Sequence, residues 1–160
     1  MATVIRGDDN FDTSYGSSAS VRVSKGANQL IANITVTAVT WDVETFDTDG
    51  MHDNSTNNTR LTAVVTGKYL VGAHITYFEN TTNGRFLGIR KNGSEYYSGN
   101  ENQTPDTGSN FHDGIHTAAL VDLSAGDYVE VMTSQRSGVT LNILYNSNPK
   151  NSFWMTLVSK

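Results

Sequence analysis

The sequence predicts an all-β sandwich. Three observations carry that reading: short alternating runs of apolar and polar residues from about Gln29 onward, turn residues between the runs, and no helical period lasting more than two turns. Hydrophobic residues make up 37% of the 160 residues and charged residues only 17%. Asn, Thr, Ser and Gly fill the difference, and these suit turns and strand surfaces. A disordered chain would carry more charge and fewer aromatics. A helical bundle would be rich in Ala, Glu, Lys and Leu.

Residues 1–27 are polar, rich in Gly and Ser, and alternate only at Val21-Arg22-Val23. They read as an N-terminal arm or attachment segment, with the folded domain over 28–160. The first predicted strand is Ile34–Val39, followed by a polar loop from Asp47 to Asn58. Arg60–Val65 comes next, with Leu61, Ala63 and Val65 on one face. Tyr69–Phe78 is the longest run: Tyr69, Val71, Ala73, Ile75 and Tyr77 share one face, and Leu70, Gly72, His74, Thr76 and Phe78 the other. Phe86–Lys91 and Ser94–Tyr97 flank Asn92-Gly93, the pair that a two-residue hairpin turn favours. A second polar loop covers Ser98–Asp113, and four further strands follow at Ala118–Leu123, Tyr128–Thr133, Val139–Tyr145 and Phe153–Val158. Pro105 and Pro149 both fall in loops. Eight or more strands with two long loops and no repeat period fit a jelly roll better than a propeller or a solenoid.

The runs Tyr69–Phe78 and Phe153–Val158 carry large apolar groups on both faces. Only one face of a two-layer sandwich looks into its own core, so the other needs cover from an arm or another subunit. Tyr69, Val71, Ile75, Tyr77, Phe78, Phe153, Trp154 and Met155 are therefore the expected core and subunit-contact residues.

Net charge is −5 with a pI near 5.2, and the few Lys and Arg are scattered, which argues against a nucleic-acid partner. Without cysteine, disulfides and thiolate metal sites are excluded. The first residues show neither a basic nor an apolar signal region, and no apolar run approaches the ~20 residues of a membrane span. The expectation is synthesis in a host cytoplasm without a signal peptide, and no membrane partner. Asn-X-Ser/Thr triplets at Asn33, Asn54, Asn57, Asn80, Asn92 and Asn102 read as products of an Asn- and Thr-rich composition rather than as glycan sites.

From about residue 28 to the end the chain resembles the C1q/tumour-necrosis-factor-like jelly-roll superfamily. Phe46 precedes the first long loop and Arg60-Leu61-Thr62 enters the next strand. Thr66-Gly67-Lys68-Tyr69-Leu70-Val71 is similar to the family's Gly-x-Tyr strand, and Arg90-Lys91-Asn92-Gly93 to its charged hairpin turn. Leu120-Val121-Asp122-Leu123 followed by Gly126-Asp127-Tyr128-Val129 resembles its Leu…Leu-x-x-Gly-Asp-x-Val element. Phe153-Trp154-Met155-Thr156-Leu157 resembles its closing Phe-x-Gly-x-Leu strand, with Met155 where Gly is common. The resemblance implies a ten-stranded jelly roll forming a tight homotrimer around a three-fold axis. Missing cysteines, collagen-like stalk and secretion signal set the chain apart from animal members. The stretch Trp41–Asp53 looks instead like bacteriophage and bacterial variants, in which such modules tip fibres or stud capsids.

Chemistry-bearing groups are sparse. Asp47-Thr48-Asp49-Gly50 with Asp53 suggests a calcium loop, but it lacks EF-hand spacing and a closing Glu; the favoured reading is carboxylates bonded to backbone amides. His112-x-x-x-His116, with Asp113 and His52, lacks the His-x-His plus Glu pattern of metal-binding jelly rolls and reads as loop and interface residues. Glu44 and Asp47 are weak candidates for a glycosidase pair, because nothing sets them across a cleft. No catalytic residue is assigned, since nucleophile elbow and phosphate loop are both missing. Tyr96-Tyr97 beside a hairpin is a candidate surface contact.

The functional expectation is a non-catalytic bacteriophage virion protein, a trimeric capsid-decoration protein on the particle surface whose residues 1–27 grip the capsid. The alternative is a receptor- or glycan-binding fibre tip or adhesin. No cofactor is expected; calcium at Asp47, Asp49 and Asp53 is the alternative to the amide-bonded loop.

Overall fold

The computed structural model describes residues 19–82, 84–103, 113–147 and 151–160, with the side chains of Gln103 and Asp113 left out. Within them the chain forms β1 (Ser20–Ser24), β2 (Gln29–Ile31), β3 (Thr37–Ala38), β4 (Val43–Asp47), β5 (Arg60–Thr62), β6 (Gly67–Tyr77), β7 (Gly84–Lys91), β8 (Glu95–Gln103), β9 (Asp113–Leu123), β10 (Tyr128–Gln135), β11 (Leu141–Ile143) and β12 (Ser152–Ser159). One sheet runs β2-β11-β6-β12-β1-β4, with β9 on the other edge of β6. The second runs β3-β10-β7-β8, with β5 also on β10. Every strand pair is antiparallel. Four of the twelve strands, β2, β3, β5 and β11, have only two or three residues, which accounts for the count above the expected ten.

Period-2 alternation sets the core. On β6, Tyr69, Val71, Ala73, Ile75 and Tyr77 point inward and meet Val21, Val23, Phe153 and Met155 of the same sheet and Leu61, Leu87, Ile89 and Val131 of the other. Each fully buried side chain of this size stabilises the fold by roughly 1.5–3 kcal/mol. Trp41 is wholly buried with its ring centroid 5.6 Å from that of Phe153. The Tyr77 hydroxyl pairs with Thr133 Oγ1 at 2.8 Å, and burial pushes its phenol up to about 12.

The Asn92-Gly93 turn is built as expected. Both residues have positive φ, 48° and 75°, the combination of a type I′ hairpin turn. The Asn92 amide donates to Asp127 Oδ1 at 2.8 Å and its oxygen accepts from the Tyr128 N–H. Lys91 Nζ lies 2.9 Å from Asp127 Oδ2, so bonds from Lys91 and Asn92, then the Ser124 amide, hold the Asp127 carboxyl down at about 2.

Several boundaries differ from the sequence reading. Residues 20–24 of the expected arm form β1, paired with both β12 and β4, because Val21 and Val23 supply two core positions. The expected strand Ile34–Val39 shrinks to Thr37–Ala38. Ile34 sits at φ 57°, a left-handed backbone that cannot continue a strand, and both Ile34 and Val36 are exposed. Residues 98–103, expected in a loop, extend β8 along β7. The remainder of that loop, with His112 and Pro105, lies outside the described residues, as do residues 1–18 and Pro149.

Candidate functional site: the outer face of the β6–β9–β12 sheet

The residues between the inward ones on β6 form the opposite face. Register places them in rows across the sheet. Leu70 lies opposite Leu120 of β9 and Thr156 of β12; Gly72 opposite Ala118 and Trp154; His74 opposite His116 and Ser152; Thr76 opposite Gly114. From β1, Arg22 faces Trp154, and from β4, Phe46 faces Arg22. Leu120 is 57% exposed, Phe78 49%, Phe46 47% and Leu70 39%. Gly72 leaves room for the indole. A Cβ there would lie 2.2 Å from the Trp154 ring, which lies flat across β6 only because nothing projects beneath it.

This face is low in charge. Between Leu70 and Phe78 the described outward positions of β6, β9 and β12 hold no Asp, Glu, Lys or Arg. Lys68 opposite Asp122 closes one end and Arg22 borders the side. His74 is the half-buried polar centre. Its Nε2 lies 3.2 Å from Thr76 Oγ1, and its ring leans over Gly114, where a Cβ would come within 3.1 Å. Burial first, and the neighbouring His116 second, hold its imidazole below the usual histidine range.

Six of the eight expected core and contact residues, Tyr69, Val71, Ile75, Tyr77, Phe153 and Met155, are buried in the chain's own core and closed to any partner. Phe78 lies on the outer face and Trp154 half-buried there. Leu70, Leu120 and Phe46 join them. Alternation in Tyr69–Phe78 already put Leu70 beside Phe78, but Leu120 and Phe46 needed strand pairing to be seen.

The acidic loop is an amide-capped turn. Asp47 accepts from the Asp49 N–H and, at 2.9 Å, from the His52 N–H. Asp49 pairs with the adjacent Thr48 hydroxyl. Asp53 Oδ1 accepts from the Ser55 and Thr56 amides and the Ser55 hydroxyl, which holds its carboxyl down at about 2, the Thr56 amide contributing most. The structure does not bring Asp47, Asp49 and Asp53 together as a ligand set, and no group of three or more His, Asp or Glu poised for a metal occurs among the described residues. Glu44 and Asp47 sit on one strand, not across a cleft.

A shallow cavity of about 290 Å³ opens beside this loop, lined by His52, Asp53, Thr56, Asn57, Arg60 and Tyr128 among others. Its groups are taken up by the protein itself. The His52 ring nitrogens face the carbonyls of Arg60 and Trp41 at 2.9 and 3.1 Å. Arg60 stacks over Tyr128 at 3.9 Å and reaches Glu130. Tyr96 and Tyr97 are partly exposed on β8, Tyr96 edge-on to Phe86 at 6.0 Å and the Tyr97 hydroxyl donating to Glu95.

Two antiparallel sheets, with the first strand lying between the twelfth and the fourth, define a jelly roll of the TNF/C1q-like fold. Solved structures agree. Murine APRIL at pH 5.0 aligns with a TM-score of 0.65 at 15% identity, covering 88% of this chain and 99% of that one. Eiger TNF from S. frugiperda gives 0.64 at 12% identity over 89% and 94%. The globular domain of zebrafish complement 1qA gives 0.57 at 13% identity over 89% and 98%. Neither a family model nor a curated protein matches the sequence, so the likeness is one of fold.

Proposed function

We propose that this chain is a non-catalytic structural protein that assembles as a homotrimer through the outer face of the β6–β9–β12 sheet and decorates a bacteriophage capsid. The uncharged apolar face carries the assembly reading, because a soluble chain of charge −5 that leaves Leu70, Phe78 and Leu120 in water gains by covering them. Its low charge favours a second copy as the cover: two copies of this face meet without repulsion, whereas the rest of the acidic surface would repel. The non-catalytic reading is supported by the cavity, whose His, Asp and Arg are committed to internal bonds. Capsid attachment falls to residues 1–18, since 20–24 are built into the sheet. The phage setting rests on the resemblance of Trp41–Asp53 and on the acidic, cysteine-free composition.

Light scattering tests the assembly. A mass of three chains supports it, and a single-chain mass rejects it. Deleting residues 2–18 should then keep the trimer but abolish co-sedimentation with capsids. The alternative of a glycan-binding fibre tip is favoured by one observation, the exposed Tyr96-Tyr97 pair. On that reading Tyr96→Ala reduces binding to host cells and leaves capsid binding unchanged.

A further inference from the structure

Among the described residues, the outer face that we assign to self-assembly carries two histidines side by side. His74 and His116 lie directly opposite each other on β6 and β9, midway between the Leu70–Leu120 row and Phe78. Directly paired cross-strand side chains have Cβ atoms roughly 4.5–5.5 Å apart, and like charges there are destabilising. We propose that this pair makes the contact between copies acid-labile, so that the trimer holds at neutral pH and comes apart in mild acid.

Acid lability rests on the self-assembly reading and on the surroundings of the pair. Among the described side chains, the positions beside His74 are the Thr76 hydroxyl on β6, Ser152 on β12, and Gly114 and His116 on β9, none of them a carboxylate. Among the described side chains, the charged groups around the face are Lys68 and Asp122 beyond Leu70, Arg22 on β1, and Glu79 after the far end of β6. A second copy brings the same set, so it too supplies apolar and neutral groups opposite the pair. Covering the pair removes more water from a ring whose charged form burial already disfavours in the single chain. Covering lowers the His74 imidazole beyond its already lowered position in the single chain, so the covered ring binds fewer protons than the free one, and assembly is complete at neutral pH and weakens as pH falls below the ordinary 6.5. Each linked proton lowers the association constant by up to about tenfold per pH unit, and three copies multiply the effect.

The experiment is light scattering on the full chain at about pH 7.5 and about pH 5, with circular dichroism recording whether the β fold persists. His74→Gln/His116→Gln is measured in parallel, and His116→Gln alone serves if the double variant folds poorly. The expected result is a wild-type trimer at neutral pH and a folded single chain at acid pH, with the glutamine variant trimeric at both. A wild-type trimer unchanged at acid pH overturns the inference and leaves the self-assembly reading standing. So does a variant that dissociates as the wild type does, since other groups would then be responsible. A folded single chain at neutral pH overturns the self-assembly reading, and the inference with it.

Discussion

The outward faces of the two sheets solve the same problem in opposite ways. On the β5–β10–β7 face the large side chains satisfy one another. Glu130, only 5% exposed, accepts from Arg90 Nη2 at 3.0 Å, Thr59 Oγ1 at 3.1 Å and Arg60 Nε at 3.5 Å, while Arg60 lies over Tyr128. On the β6–β9–β12 face Leu70, Phe78 and Leu120 stand in water around a histidine pair. Paired charges leave little for a partner to satisfy, whereas uncovered apolar surface gains free energy from every Å² removed from water. Under the proposed assembly the two faces take opposite roles within one fold: one meets solvent, the other a neighbour.

The largest expected effect comes from breaking that asymmetry. Leu120→Lys places an ammonium in the apolar face and should raise the dissociation constant of the assembly by about 100-fold or more, on the scale of a desolvated unpaired charge. Sedimentation would show single chains with an unchanged β spectrum. Thr62→Lys, on the opposite face, should leave the mass unaltered. Gly72→Ala drives a methyl group into the Trp154 ring and should cost about 1–3 kcal/mol in urea unfolding. A blue or red shift of tryptophan emission would report the displaced indole. Removing the hub of the other face, Glu130→Ala, strands two partly exposed arginines and should cost about 1–2 kcal/mol without touching assembly.

The smallest effect concerns neither face but Lys25, whose Nζ donates to Gln29 Oε1 and the Thr40 carbonyl and hydroxyl. Burial lowers it to about 8, against the opposing pull of Asp42. Between about 8 and its ordinary 10.5 the unfolded chain binds the extra proton, so stability should rise with pH across that window. In Lys25→Met that rise should vanish from the difference in urea midpoints.

The core face of the longest strand was readable from its alternation, since every second residue from Tyr69 to Tyr77 is buried, and the hairpin from Asn92-Gly93, whose two positive φ values few residue pairs tolerate. The strands β1 and β4 were not. Val21-Arg22-Val23 is too short to stand out within a polar segment, and β4 (Val-Glu-Thr-Phe-Asp) is exposed along most of its length, so no period marks it. Half of the candidate face was legible for the same reason that half was hidden: alternation along β6 separates Leu70 and Phe78 from the core, but nothing local says that β9 brings Leu120 and His116 beside them. Likewise, the acidic loop showed its turn residues in sequence, while the amides that occupy Asp47 and Asp53 became visible only with the backbone in place.

The position of β12 governs the order in which this molecule can be completed. It lies between β6 and β1, so residues 20–24 and 68–74, which pair with β4 and β9 on their other edges, each wait for residues 152–159 to gain a second neighbour. During synthesis one edge of each strand thus stays open until then, and bringing β12 onto β1 closes a loop of more than 100 residues, which makes the final step slow relative to helical proteins of similar size. Until residues 152–159 emerge from the ribosome, the outer face proposed for assembly has no Trp154 and no finished sheet.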